Sequence, residues 1–516
     1  MLPGSGETQR ARPAVVLGVL SLAALSYSIL SSAVIPALPA LRGSLHASET
    51  GITWLLTGFL LSASVGTAII GKLGDIYGKQ RLLVWTLLAL IVGTLLAAVS
   101  TSLVMLIASR IIQGVAGGIF PLSYSIARDE FPADRVAGGI GLMSAILGAG
   151  GGLGLVLGGL IDEHLSWHWL FWIPLPAMIA AAVCAWRLIP ESPVRAPGRV
   201  NWAAAALMAT GMSCVLVAIA QATAWGWTSR PTLLLMATGL VVCGLWIAVE
   251  LRSRNPLIDM AMMRVRGVWT VNLAAFLVGA GMYALFLLLP QFAQLPASTG
   301  FGYGASVLVA GLYLLPCSVG MSVLGAVAGR VERRIGSRGA LIAGAAVSAI
   351  SCVLLAVGSR HPYDMLVSSG LLGVGIGLAY AALGNLIVQA VPAYQTGAAS
   401  GMNTVLRTLG GALGGQISAT LIVATTLGGL PALTGFTRTF AMAALFLACC
   451  AAAGLLIPAG TLAMAVPQEP APAIAELAGP RARDGDDVSD SDHVGDHACH
   501  VVRPARRISQ ADERVG

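Results

Sequence analysis

From residue 14 onward the chain alternates long apolar runs with short polar loops. The runs lie near 14–36, 51–71, 82–100, 104–127, 136–160, 170–189, 201–222, 231–250, 268–290, 304–328, 340–358, 365–391, 399–425 and 439–458. Each is long enough to cross a hydrocarbon layer ~30 Å thick as a helix. A closed barrel would instead show alternating segments of ~10 residues, and the chain has none. Backbone polar groups inside lipid must be satisfied within the segment, so the pattern predicts an all-α integral membrane protein with 14 transmembrane helices. An even number of spans puts both termini on one side.

Composition agrees with this reading. The 516 residues are 56% hydrophobic and 10% charged, with a mean hydropathy of +0.83; soluble domains carry roughly 25% charged residues. The start, MLPGSGETQRARPAVV, leads into an apolar run without an A-x-A-like cleavage site, which predicts a retained first span. Eighteen arginines and lysines fall in loops on the side of the termini, against four (Arg42, Arg230, Arg360 and Arg438) on the other. That bias predicts a multi-pass plasma-membrane protein with cytoplasmic termini. It also accounts for the net charge of +7, so no nucleic-acid partner is implied. Seven of the eight cysteines lie in apolar runs without zinc-like spacing and behave as small hydrophobes. The stretch from residue 459 is rich in proline and aspartate and reads as a disordered cytoplasmic tail. Its His493, His497, Cys499 and His500 fit no closed metal site, so no metal and no cofactor is expected.

The only two lysines, Lys72 and Lys79, stand together in GKLGDIYGKQR, from Gly71 to Arg81. In a short loop between helices, Gly71 and Gly78 permit close approach and a tight reversal. Asp75 can accept bonds from helix-start amides, and Lys79 and Arg81 can pair with it or with neighbouring acids. A loop that merely fixes topology is the plainer alternative. The segment has an echo in Gly329-Arg-Val-Glu-Arg-Arg-Ile-Gly336, with the same seven-residue interval between glycines, eight spans later. Internal repeats about a central site are a feature of transporters.

The motif at Gly71–Arg81 closely resembles the loop motif of the major facilitator superfamily. Arg110-Ile-Ile-Gln-Gly-Val-Ala-Gly-Gly118 resembles that family's R-x-x-Q-G motif. Trp167-His-Trp-Leu-Phe171 resembles its W-R-W-I-F signature, with His168 in place of arginine. Gly397 to Gly411 resembles its penultimate span. The resemblance covers roughly residues 14–458, and the pair of runs at 201–222 and 231–250 resembles the extra central pair of the fourteen-helix drug:proton antiporters of EmrB/QacA type. It implies two pseudo-symmetric six-helix bundles, at 14–189 and 268–458, with a central linker at 190–267 holding two further helices and a cytoplasmic N-terminus at 1–13. It also implies alternating access and proton-coupled efflux of small lipophilic drugs, with no enzymatic activity. We expect a monomer.

Arg110 lies within a predicted span, where a charge costs at least about 2.5–3.5 kcal/mol. In the family the matching arginine is linked to proton transfer, with Gln113 one turn on. Arg407 is the other cation at membrane depth, with Asn403 on the same face four residues earlier. Ten of the 22 residues from Gly138 to Gly159 are glycine, and Gly150, Gly154 and Gly158 share one face at the spacing that lets helices touch backbone to backbone. With Gly159 they form a candidate switching helix. The region resembles the antiporter motif G-P-x-x-G-G, with Leu155 where proline is expected. Likewise Leu30 and Ile35 replace the aspartate and asparagine of the family's first-span pattern. No Asp or Glu falls in the middle of any predicted span. Neutral, zwitterionic or anionic substrates are therefore expected in preference to multivalent cations, and Asp75 is the candidate coupling acid, linked to Arg110 and Gln113. Candidate cavity contacts are Tyr27, Ser31, Tyr124, Asn272, Tyr283, Gln291, Tyr380, Asn385, Asn403 and Arg407. The chain has no G-x-x-x-x-G-K-[ST] loop, which argues against ATP-driven pumping. Its span-flanking histidines 46, 164, 168 and 361 fall at predicted ends or loops, which argues against a membrane enzyme, and a non-transporting sensor would need a folded output domain.

Overall fold

The apolar runs fold as helices in the structure, a computed structural model that describes residues 12–358, 361–427 and 430–458. The expected disordered tail and its histidines lie outside the described residues. The long helices, in chain order, are α1 (Pro13–Ala33), α2 (Glu49–Tyr77), α3 (Lys79–Ala98), α4 (Leu103–Glu130), α5 (Ala133–His164), α6 (Trp169–Leu188), α7 (Trp202–Trp225), α8 (Arg230–Arg252), α9 (Arg266–Gln294), α10 (Leu308–Gly358), α11 (Pro362–Gln389), α12 (Thr396–Val423) and α13 (Leu433–Leu456). Among the described residues, 12 of these are long and apolar enough to cross a membrane. Two differences separate that number from the expected fourteen. The runs at 304–328 and 340–358 join in α10, a stretch of 51 residues. The run at 399–425, α12, is not among the twelve; Ser400, Asn403, Thr404, Arg407, Thr408 and Gln416 lower its hydropathy.

Local chemistry sets the helix limits. Ser48, Ser102 and Asn201 accept hydrogen bonds from Gly51, Met105 and Ala204 N–H groups at 3.0, 3.3 and 3.1 Å, capping α2, α4 and α7. Gly78 ends α2 at φ 116°, and Gly336 breaks α10 at φ 73°. Both are backbone conformations that a side chain disfavours, so the closing glycines of the sequence echo do the same work twice.

Glycine also sets the packing. Along α5, Gly150, Gly154 and Gly158 lie against Ser28, Ile29, Ser32 and Ala33 of α1, while Gly141, Gly148 and Gly152 lie against Gly325, Met321 and Ser318 of α10. One glycine-dense helix thus holds two neighbours at backbone distance, one before residue 190 and one after 267. Two crossings at the arginine-rich end repeat the arrangement: Gly71 of α2 meets Gly397 of α12, and Gly329 of α10 meets Gly138 of α5. At each, a Cβ would overlap the opposing backbone. The opening glycines of the echo therefore occupy matching positions as well.

Helix α7 lies over the seam between α2 and α12. Its Ala204, Ala205 and Met208 share an apolar cluster with Ala68 and Ile76 of α2 and Val405 of α12. At the other end, Thr223 Oγ1 donates to Gln416 Oε1 at 2.7 Å and Trp227 Nε1 donates to Thr420 Oγ1 at 2.7 Å. Helix α8 packs on α7 and turns Leu233, Leu234, Leu240 and Val241 outward, an apolar surface suited to lipid.

Candidate functional site

The Gly71–Arg81 segment is a latch between distant parts of the chain. The Asp75 carboxylate accepts from the backbone N–H of Gly397 at 3.0 Å and of Ala398 at 2.9 Å, at the start of α12. These are orphan helix-start donors, so the acid caps the helix and meets the positive end of its dipole. Charge-assisted bonds of this kind contribute about 1.5–3 kcal/mol each. Gly71 and Gly397 make the approach possible, since neither has a side chain between the two backbones. The linker joins in: Ala196 N–H donates to the Asp75 carbonyl at 2.6 Å.

Lys79 does not pair with Asp75. It forms a buried ion pair with Asp129 at the end of α4, and Ser192 Oγ donates to that carboxylate at 2.5 Å. Arg81 lies 3.6 Å from Glu191, which also accepts from the Gln80 and Arg81 N–H groups at 3.3 and 3.2 Å. Further contacts are made by Arg128, which sequence reasoning passed over, and by Asn385, which it placed in the substrate cavity. Arg128 donates to the Val391 carbonyl at 2.8 Å and to Thr396 Oγ1 at 2.7 Å, just before α12. Asn385 donates to both Glu332 oxygens, at 2.9 and 3.0 Å, and to the Ala137 carbonyl at 3.2 Å, tying α10 and α11 to α5. The sequence signals for these partners were the charged triplet Arg128-Asp129-Glu130 closing span four and Glu332 within the glycine echo.

Arg110 is fully buried in α4, with no acid partner among the described residues. Its guanidinium donates to Gln113 Oε1 at 2.9 Å and to the Leu30 and Leu55 carbonyls at 3.4 Å. The Phe59 ring lies under it, 4.1 Å from Cζ to centroid, a cation–π contact that favours the charge in a dry site. Gln113 is oriented in turn by its bond to Thr94 at 3.3 Å. One guanidinium nitrogen, Nη2, has no partner among the described residues. Leu30, where an acid was expected, is wholly buried and serves Arg110 only through its carbonyl.

Five of the candidate cavity residues converge at mid-membrane. Tyr27 of α1 and Tyr380 of α11 each lie within electrostatic reach of Tyr283 of α9 and Arg407 of α12, with Tyr124 of α4 beside Tyr380. Arg407 stacks on Tyr380, 4.5 Å from Cζ to the ring centroid. Tyr27 packs on Phe59 with ring centroids 5.8 Å apart, so the Arg110 site adjoins this centre. Tyr283 lies over Gly411 and is 38% exposed, although it sits among these central groups.

The other candidates lie elsewhere. Ser31 donates to its own helix at the Ser28 carbonyl, 2.8 Å away. Asn272 and Asn403 bond to each other at 3.0 Å and join α9 to α12. Asn385 belongs to the arginine-rich end, and Gln291 is exposed near the end of α9. Helix α5 runs unbroken from Ala133 to His164, through Leu155 where the family motif has proline. Among the described residues no group of histidine, cysteine and acid is placed to hold a metal.

Comparison with known proteins places this geometry in context. The Major Facilitator Superfamily pattern matches residues 20–415. The tetracenomycin C resistance and export protein of Streptomyces glaucescens is 28% identical over 429 residues, covering 81% of this chain and 77% of the relative. The probable actinorhodin transporter of Streptomyces coelicolor is 28% identical, over 81% of this chain and 74% of the relative. The multidrug resistance protein Stp of Mycobacterium tuberculosis is 27% identical, over 75% and 72%. Among solved structures, the human organic anion transporter MFSD10 (TETRAN) superposes with a TM-score of 0.61 at 18% identity, covering 84% of this chain and 99% of that one, a likeness of fold. With a match across most of its length and membrane-spanning helices to suit, the chain belongs to the Major Facilitator Superfamily and is a transporter rather than an enzyme.

Proposed function

We propose that the protein exports lipophilic drugs or antibiotics across the plasma membrane by alternating access, with protons as coupling ion and the arginine-rich end in the cytoplasm. Fourteen spans serve this reading: two six-helix bundles, α1–α6 and α9–α13 with α10 counted twice at Gly336, plus α7 and α8. One observation carries it. Asp75 clasps α12 across the seam while Tyr283, at the centre, stays exposed. We read that combination as an outward-facing arrangement, shut at the arginine-rich end and open to the far side. The relative named for tetracenomycin C resistance and export, and Stp, named for multidrug resistance, support the direction of transport.

In this reading a proton reaching Asp75 removes the charge that holds the α12 amides, and the two bundles part at the cytoplasmic end to admit substrate. Arg110 and Gln113 stand between the centre and the outer end of α4 and bias the route by charge. The glycine faces of α5 let the bundles move without side chains interlocking. A membrane potential of about 150 mV supplies ~3.5 kcal/mol per charge, sufficient for a gradient of a few hundred-fold. A panel of toxic compounds on a hypersensitive host tests the reading: the wild-type chain raises tolerance and Arg110→Ala abolishes the gain. Equal sensitivity in every strain would refute it.

A second reading, uptake or metabolite export without the usual proton antiport, is favoured by Leu30 and Leu155, which stand where the antiporter patterns have aspartate and proline. Inside-out vesicles separate the two. Drug flux that follows an imposed pH step supports antiport, and flux indifferent to the step supports the second reading.

A further inference from the structure

The centre carries unspent hydrogen-bonding capacity of one sign. Among the described residues, the Arg407 guanidinium makes no hydrogen bond and no ion pair, and the hydroxyls of Tyr27, Tyr283 and Tyr380 make no hydrogen bond. The polar atoms of Arg407, Tyr27 and Tyr380 are not among the buried atoms that lack a partner, and Tyr283 is 38% exposed as a residue. Tyr124, by contrast, is satisfied by Ser144 at 3.3 Å. Tyr380 covers one face of Arg407, which leaves the edge of the guanidinium, with its forked N–H groups, free. A guanidinium edge matches a carboxylate bidentately, and lysine offers no such fork. Among the described residues no carboxylate pairs with Arg407: Asp75, Asp129, Glu191, Glu250, Asp259, Glu332 and Asp364 are held by other partners at helix ends and loops. Arginine stays charged at any physiological pH. Arg110 adds a second cation behind Tyr27 and Phe59.

Resting on the export reading, the geometry points to a substrate that is a planar aromatic acid, its ionised carboxylate or acidic phenolate held at the Arg407 edge and its ring among Tyr27, Tyr283 and Tyr380. Aromatic faces receive the ring whatever its substituents, and the arginine selects the charge. Organic cations of the same shape meet two uncompensated positive charges and are disfavoured.

The test uses two dyes that share one tricyclic ring system: fluorescein, an anion, and rhodamine 6G, a cation. Binding is read by fluorescence anisotropy on the purified full chain in nanodiscs. The wild type binds fluorescein at least tenfold more tightly than rhodamine 6G. Arg407→Gln loses fluorescein affinity on the order of 10- to 100-fold, the span of one charge-assisted hydrogen bond, and changes rhodamine 6G affinity less than twofold. Arg407→Lys, which keeps the charge but not the fork, falls between. Preference of the wild type for rhodamine 6G, absence of fluorescein binding, or equal loss of both dyes in the two variants would overturn the inference. Anion-selective binding without flux into inside-out vesicles would leave it standing and sink the export reading. Flux of rhodamine 6G without fluorescein binding would do the reverse.

Discussion

Replacing Asp75 by asparagine changes one atom and should release the latch. In the wild type each carboxylate oxygen takes one α12 amide, from Gly397 at 3.0 Å and Ala398 at 2.9 Å. An amide side chain keeps one acceptor and turns an N–H₂ donor toward the other backbone donor. One charge-assisted bond of about 1.5–3 kcal/mol is lost and the other falls to the neutral value near 1 kcal/mol. The charge's interaction with the helix dipole, roughly 0.3–1 kcal/mol, goes too. A net change of about 3 kcal/mol corresponds to roughly 150-fold in the equilibrium between closed and open cytoplasmic ends. A population 99:1 in favour of the closed form would become roughly 2:3. Spin labels at Tyr77 and Tyr394, which are 48% and 37% exposed and lie on either side of the seam, report the opening by pulsed electron resonance in a background lacking the 8 native cysteines. The distance distribution of Asp75→Asn should gain a second, longer component of comparable weight. Asp134→Asn, an exposed acid at the same end, should leave it unchanged. A single distribution identical in all three proteins would refute the latch.

Three further outcomes follow from the same contacts. Gly71→Val places a side chain inside the Gly397 carbonyl and should abolish transport while the protein still inserts in the membrane; Gly415→Ala, which meets open space on the same α12, should transport normally, and drug tolerance of a sensitive host reads both. Lys79→Met and Asp129→Asn should each lower stability by about 3–5 kcal/mol by stranding one buried charge, and the double variant should recover most of that; thermal unfolding in detergent checks the cycle, and additive losses would contradict it. Phe59→Leu removes the π-face under Arg110 and should weaken drug tolerance partially, by the equivalent of about 0.5–2 kcal/mol, without the complete loss expected of Arg110→Ala.

Much of the fold was legible because lipid allows so few solutions. The run expected at 136–160 and the observed α5 at Ala133–His164 differ only at charged ends, where the helix continues past the apolar stretch until Leu165 leaves helical geometry. The run ending at 71 continues to Tyr77 because Gly78, not the arrival of charge, is what stops a helix. The glycine echo was legible as spacing, and its structural meaning, a positive φ at one end and a backbone crossing at the other, emerged only in three dimensions. Partners were the illegible part. Asp75 finds its amides 322 residues away, and Lys79 chooses Asp129 over an acid four residues before it, because both choices are made by helix packing. Asn385 and Gln291 look alike in sequence as polar residues in apolar runs. One is buried at the arginine-rich end of α11 and the other is exposed beyond the centre of α9.

The two glycine crossings carry a consequence for speed. Surfaces built from bare backbone have no teeth, so parting them requires no rotamer to flip and no ridge to climb out of its groove. The resistance to opening is then concentrated in the few polar clasps at the rim, and those can be released by a single chemical event. A door hung on smooth bearings and held by one bolt swings as soon as the bolt is drawn.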